Sequence, residues 1–214
     1  MEISFWNNHY KNFTTIGPST FAQYCSSGII RKSDTVIEVG CGNGRDGILL
    51  AQNCMKYTGI DQSDNAIESF KSHILNSDLF DKDLQLLNLD INNIELSSIM
   101  PKHSGRVVFY LRFSLHSLDE AFENRLLDFL SKYPHPAIIL VEARTIFDPL
   151  FGVGHKQSDT EFISDHYRRF LKPDVFLSKV IRLLNVEFFE LSKGRAVFNS
   201  EDPLVLRCHL SNKI

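Results

Sequence analysis

The chain has 214 residues, 43% hydrophobic and 23% charged, with a formal net charge of −3; it is long enough for one compact domain with a large core and carries no global attraction for nucleic acid. Its start, Met1-Glu2-Ile3-Ser4, lacks a basic segment followed by an apolar signal region, and no apolar run is long enough to cross a bilayer, so a cytoplasmic protein without stable membrane insertion is expected. Cys25, Cys41, Cys54 and Cys208 show no C-x-x-C spacing, which argues against a zinc site and against a disulfide framework.

Apolar, β-prone runs at Thr35–Val39, Lys56–Ile60, Leu84–Leu87, Arg106–Leu111 and Ala137–Glu142 alternate with helix-like stretches at Arg45–Asn53, Asn65–Leu75 and Asp119–Lys132. Ser63 and Ser117 are candidate helix caps just ahead of the last two. This alternation predicts an α/β fold, a parallel sheet covered by helices on both faces. Asp174–Leu184 reads as a further helix, and Glu187–Leu191 and Leu204–Leu210 as strands able to pair as a hairpin. Residues 1–34 read as an N-terminal helical cap on a single domain spanning 1–214. The longest irregular region runs from Ala143 to Leu171, where an α/β connection ordinarily takes about 2–6 residues. Such a length suggests a substrate loop, with Gly152 and Gly154 as hinges of a lid.

The segment Val36-Ile37-Glu38-Val39-Gly40-Cys41-Gly42-Asn43-Gly44-Arg45-Asp46-Gly47 takes an apolar run into a glycine turn and out as a helix. A second short run, Tyr57-Thr58-Gly59-Ile60, then ends on Asp61. This is the layout of a nucleotide-binding βαβ unit and points to a nucleoside cofactor. The dinucleotide fingerprint wants its third glycine where Arg45 stands, so Gly40-x-Gly42-x-Gly44 argues against a dinucleotide.

The glycine spacing, with Glu38 two residues ahead, resembles motif I of class I S-adenosylmethionine (SAM)-dependent methyltransferases. The resemblance implies a Rossmann-like, seven-stranded, mostly parallel sheet with an antiparallel C-terminal hairpin. It further implies that Glu38 helps hold the methionine ammonium of SAM, while the turn at Gly40, Cys41, Gly42, Gly44, Arg45 and Asp46 approaches the methionine part. Asp61, beside Gln62, would receive the ribose hydroxyls through its acceptor-only oxygens. Asp90 and Ile91 would face the adenine, and Leu111 completes the cofactor set. The product is S-adenosylhomocysteine, and no metal is required.

Ligands of open parallel sheets gather outside the carboxyl ends of the strands. After the fourth run comes Leu111-Arg112-Phe113-Ser114-Leu115-His116. His116 titrates near neutral pH and is the candidate general base or oxyanion orienter; Arg112 can fork onto an anion. A helix-entry histidine satisfied by backbone groups is the plainer reading of His116. The Asn- or Asp-Pro-Pro-Tyr/Phe motif of enzymes that methylate planar amino groups is missing, which disfavours nucleobase and glutamine N-methylation. In the long loop, Arg144, Asp148, His155, His166, Tyr167, Arg168 and Arg169 place guanidinium groups beside aromatic and imidazole rings, a set suited to gripping a phosphate or carboxylate.

Phe5-Trp6-x-x-x-Tyr10, Pro18-Ser19-x-Phe21-Ala22, Tyr110-x-Arg112-Phe113-x-x-His116, Arg144-x-x-x-Asp148, Phe151-Gly152-x-Gly154, Asp165-His166-Tyr167-Arg168-Arg169-Phe170 and Glu201-Asp202-Pro203 together are similar to bacterial methyltransferases of surface-polysaccharide clusters. That group resembles modules that cap O-antigen chains and enzymes that methylate capsular phosphoramidate or phosphate. It implies that Tyr10 and Phe21 fold over SAM and that the reaction is O-methylation of an anionic phosphate-, phosphoramidate- or sugar-containing acceptor. Two alternatives stay open. One is a methyltransferase of small molecules, thiopurine-like or secondary metabolites, which the 17 phenylalanines would suit; the other is a non-catalytic SAM-binding partner protein.

Overall fold

The structure, a computed structural model, describes residues 3–12, 17–79, 81–101, 105–197 and 201–213. The chain folds as two compact units, within residues 2–110 and 111–214.

The first unit opens with helix α1 (Ile3–Asn12) and helix α2 (Thr20–Gly28), capped by Ser19, whose side chain accepts from the Ala22 N–H. These fill part of the expected 1–34 cap; residues 1, 2 and 13–16 of that expectation lie outside the described residues. Strand β1 (Thr35–Val39), helix α3 (Gly47–Asn53), strand β2 (Lys56–Asp61), helix α4 (Asp64–Leu75), strand β3 (Asp83–Asn88) and strand β4 (Val107–Arg112) follow. All five β1 residues are buried. Because alternate strand residues point to opposite faces, both faces of the sheet are covered at β1, as the largely apolar run predicts. Ser63 caps α4 by accepting from the Ala66 N–H, as expected. Helix α1 docks on α4: Asn7 accepts from the Ser63 hydroxyl at 2.7 Å and from the Asn65 amide at 2.8 Å.

The second unit carries helix α5 (Glu120–Lys132), strand β5 (Ala137–Arg144), short strands β6 (His155–Lys156), β7 (Glu161–Ile163) and β8 (Tyr167–Arg169), helix α6 (Pro173–Leu183), and strands β9 (Asn185–Ser192) and β10 (Val205–Ser211). Two local expectations need correction. The α5 cap is Asp119, accepting from the Phe122 N–H at 2.7 Å, whereas Ser117 lies one turn earlier in a short 3-10 segment. The long loop is not irregular throughout: β6, β7 and β8 form an antiparallel three-stranded sheet, pinned by an edge-to-face cluster of Phe151, Phe162 and Phe170.

The large sheet has seven strands in the order β3-β2-β1-β4-β5-β10-β9, with β10 antiparallel to β5 and to β9. This is the expected Rossmann-like arrangement with its antiparallel terminal pair. Strand order reverses between β1 and β4, which makes the carboxyl end of β1 the place where an open sheet binds its ligand. Among the described residues, no helix is long and apolar enough to cross a membrane.

Candidate functional site

The glycine turn leaves β1 at that reversal point. Gly40, Gly42 and Gly44 all have positive φ, at 73°, 54° and 83°. A Cβ on Gly42 would come within 2.5 Å of the Tyr10 hydroxyl, and one on Gly44 would run into the Phe70 ring. Both positions therefore need glycine for conformation and for space. Tyr10 lies against the turn.

Asp61 closes β2 beside the turn. One oxygen accepts from the Gly42 N–H and the other from the Ser63 N–H, both at 2.9 Å. A carboxylate has about four acceptor positions, so these backbone bonds leave capacity for a ligand hydroxyl. Burial raises the Asp61 carboxyl above its ordinary range, while the amides of Ser63, Gly42 and Gln62 pull it back down. Glu38 is buried in β1 and accepts from the Tyr57 phenol. Cys41 is buried in the turn, and burial pushes its thiol up, so it acts as a small apolar filler rather than a nucleophile. The acidic, glycine-lined cradle fits a nucleoside that carries an ammonium group.

Other residues expected to contact the cofactor have other partners here. Asp46 is buried; its oxygens accept from the Ser19 N–H and hydroxyl at 2.7 Å and from the Tyr110 hydroxyl at 2.8 Å. That makes it an anchor for the segment leading into α2. Phe21 is a core residue whose ring stacks on Tyr110 at 5.3 Å. Leu111 is wholly buried within β4. Arg45 reaches back to the Gly17 carbonyl at 3.3 Å. Asp90 caps the short turn that follows, accepting from the Asn92 N–H at 3.0 Å, with Ile91 buried behind it and Gln62 half-buried after Asp61.

In the second unit the arginines of the expected anion grip each have a carboxylate partner. Arg169 is buried and donates to Glu123 at 2.8 Å and to the carbonyls of Leu118 and Leu115. Arg144 bonds Asp148 at 2.9 Å and Glu201 at 2.7 Å; Asp148 is itself buried and holds the Leu150 N–H. Arg168 pairs with Asp165, and Arg112 bonds Glu142 at 2.9 Å, which also holds Arg207 at 2.5 Å. A guanidinium inside a fold needs a carboxylate to offset its desolvation, and each of these has one. Tyr167 donates to Glu161 at 2.6 Å, and His155 is exposed on β6.

His116 is different. It is buried, and its Nδ1 has no hydrogen-bond partner among the described residues; neither do the buried hydroxyls of Ser114 and Ser117 on either side. Burial holds its imidazole well below the ordinary value, helped by the charges of Arg144, Arg168 and Arg112. His166 packs 6.5 Å away, centroid to centroid, and burial and Arg168 hold it down to about 4. Phe113 lies edge-on to His116, 5.7 Å between ring centroids, and has the one positive φ outside glycine among the described residues, 53°; the guanidinium carbons of Arg112 and Arg144 lie 4.7 and 5.3 Å from its ring centre. Backbone strain of this kind costs about 1–3 kcal/mol and gathers at functional segments.

A family model described as a methyltransferase domain matches residues 30–146. The chain belongs to the methyltransferase-domain family, and S-adenosylmethionine is its cofactor. The solved structures it resembles include a SAM-dependent methyltransferase from Methanosarcina mazei, at TM-score 0.66 and 11% identity over 88% of this chain and 96% of that one. Another is the glycopeptide N-methyltransferase MtfA, at TM-score 0.59 and 18% identity over 90% and 95%. A third is the N-methyltransferase NodS from Bradyrhizobium japonicum in complex with S-adenosylhomocysteine, at TM-score 0.58 and 16% identity over 92% and 89%. At these identities the likeness is one of fold. No curated protein matches the chain.

Proposed function

We propose that this methyltransferase methylates a hydroxyl oxygen of a saccharide acceptor of the kind found in surface polysaccharides, with His116 as the proton acceptor. The observation that carries this reading is the buried His116, neutral and with Nδ1 unpartnered. A phosphate oxygen needs no base and wants unpaired cations, but Arg112, Arg144, Arg168 and Arg169 all have carboxylate partners. The hydroxyl branch of the sequence-based expectation is therefore the better supported one. Bound SAM supplies a methyl group already activated on a positively charged sulfur. In that transfer His116 would take the hydroxyl proton at Nδ1 while the methyl passes from sulfur to the acceptor oxygen, the carbon–sulfur bond breaking and its electron pair staying on sulfur as S-adenosylhomocysteine leaves; Ser114 and Ser117 offer hydroxyls to a polar acceptor. On the donor side, Asp61 receives the ribose hydroxyls and Glu38 the ammonium.

Two measurements test this. Calorimetric titration with S-adenosylhomocysteine should give binding that Asp61→Ala weakens by about 3 kcal/mol, the worth of two charge-assisted hydrogen bonds; equal affinity in both proteins would remove Asp61 from the site. Transfer of labelled methyl from SAM to neutral and phosphorylated saccharides should favour hydroxyl products, and His116→Ala should cut turnover about a hundredfold or more. Methylation confined to phosphate oxygens and indifferent to His116→Ala would sink the hydroxyl reading.

A further inference from the structure

Tyr57 is the second residue of β2, its side chain wholly buried, and its phenol donates to the Glu38 carboxylate across the β1–β2 pair. Glu38 stands directly opposite Gly59 in that register, and Tyr57 lies two residues from Gly59, so both project on the same side of β2. A Cβ on Gly59 would sit 3.0 Å from the Tyr57 hydroxyl, and a Cβ on Gly47, the first residue of α3, would collide with it. Neither glycine has the positive φ of the turn glycines. Both instead leave space beside the Tyr57 hydroxyl that a Cβ would take, space shared at Gly59 with Cys41 and Leu86 and at Gly47 with Phe70. Burial and the neighbouring Glu38 charge raise the phenol well above its ordinary value, so it stays a neutral donor.

We propose that Tyr57 is a positioning residue for the methyl donor: it orients the Glu38 carboxylate that receives the donor's ammonium group, within a slot cut by Gly47 and Gly59. This rests on the reading that Glu38 touches the ammonium. A buried carboxylate tends to rotate or take up a proton, and a hydrogen bond to its charged form opposes both. Tyr57 holds the charge in place without cancelling it, which a lysine or arginine at that point would not do.

The test compares two probes on the full chain: S-adenosylhomocysteine, which carries the ammonium, and 5′-methylthioadenosine, which lacks the amino-acid part. Tyr57→Phe keeps the ring and its edge contact with Phe70, 6.0 Å between centroids. It should lower affinity for S-adenosylhomocysteine about tenfold, the loss of one hydrogen bond to a charged group, and leave affinity for 5′-methylthioadenosine unchanged. Equal loss for both probes would mean that Tyr57 only supports the fold, and loss for neither would mean that Glu38 does not need it; each overturns the proposal. Glu38→Gln, run alongside, separates the two layers. If Glu38→Gln discriminates between the probes and Tyr57→Phe does not, the proposal falls and Glu38 keeps its role. If Glu38→Gln fails to discriminate, or the unaltered chain binds neither probe, the reading of Glu38 falls and takes the proposal with it.

Discussion

Buried carboxylates are held differently in the two units. In the first, Glu38 accepts from a phenol, Asp46 from the hydroxyls of Ser19 and Tyr110, and Asp61 from two backbone amides. In the second, Glu123, Glu142 and Asp148 lie against guanidinium groups of Arg169, of Arg112 and Arg207, and of Arg144. A hydrogen bond from a neutral donor keeps a carboxylate ionised without cancelling its charge, whereas a guanidinium does both. SAM carries an ammonium and a sulfonium, and the first arrangement suits a cation. A buried carboxylate of the first unit that does pair with a guanidinium, Asp34 with Arg106 at 2.7 Å, lies ahead of β1, at the end of the strand opposite the glycine turn. Charge is neutralised there, where no ligand is expected.

The sharpest way to break this contrast is to remove a carboxylate from the second kind of pairing. Glu142→Ala strands two guanidinium groups that are largely buried, and it should cost about 3–5 kcal/mol in urea unfolding. Tyr57→Phe deletes one hydrogen bond from a neutral donor to a carboxylate and should cost about 1.5–2 kcal/mol. Similar losses for the two variants would mean that the partner's charge is not what separates the units.

The imidazoles of the second unit give a smaller effect with a definite sign. An unfolded histidine takes up a proton as pH falls below 6.5, but folded His166 does so only near 4, and folded His116 also lies well below 6.5. Between those limits the unfolded chain binds more protons, so stability should fall as pH drops from 6.5 toward about 4. The raised carboxyl of Asp61 acts in the opposite sense just above 3.8, where the folded state holds the extra proton. Urea midpoints measured between pH 4 and 7 should show the decline, and His166→Gln should flatten it. A profile unchanged by His166→Gln would remove that imidazole from the balance.

The same contrast explains what the sequence could and could not reveal. The first unit is built from local signals: a largely apolar run for β1, glycines where φ is positive, and Ser63 three residues ahead of the amide it caps. All lie within a few residues of the feature they specify. Two of the carboxylates that occupy the arginines do not: Glu123 is 46 residues from Arg169, and Glu142 is 30 from Arg112 and 65 from Arg207, whereas Asp148 and Asp165 lie four and three residues from Arg144 and Arg168. An arginine cluster reads the same in sequence whether it awaits an anion or already has one. Tyr57 was hidden for a related reason, since its link to Glu38 spans 19 residues and depends on strand register. Its signal was present in the two glycines outside the turn, at Gly47 and Gly59.

Helix caps reduce the comparison to a single hydrogen bond. Ser63 and Asp119 cap α4 and α5 by accepting from Ala66 and Phe122. Ser63→Ala and Asp119→Ala should each cost about 1 kcal/mol. Ser117, which sequence spacing favoured for α5, is an instructive control: its hydroxyl caps nothing and is buried without a partner. Replacing it with alanine removes a desolvated group that makes no hydrogen bond, so Ser117→Ala should be neutral or slightly stabilising in urea unfolding. If it also raises the KM for the acceptor, the hydroxyl is held for substrate at the expense of stability. A loss as large as that of Asp119→Ala would instead return the cap of α5 to Ser117.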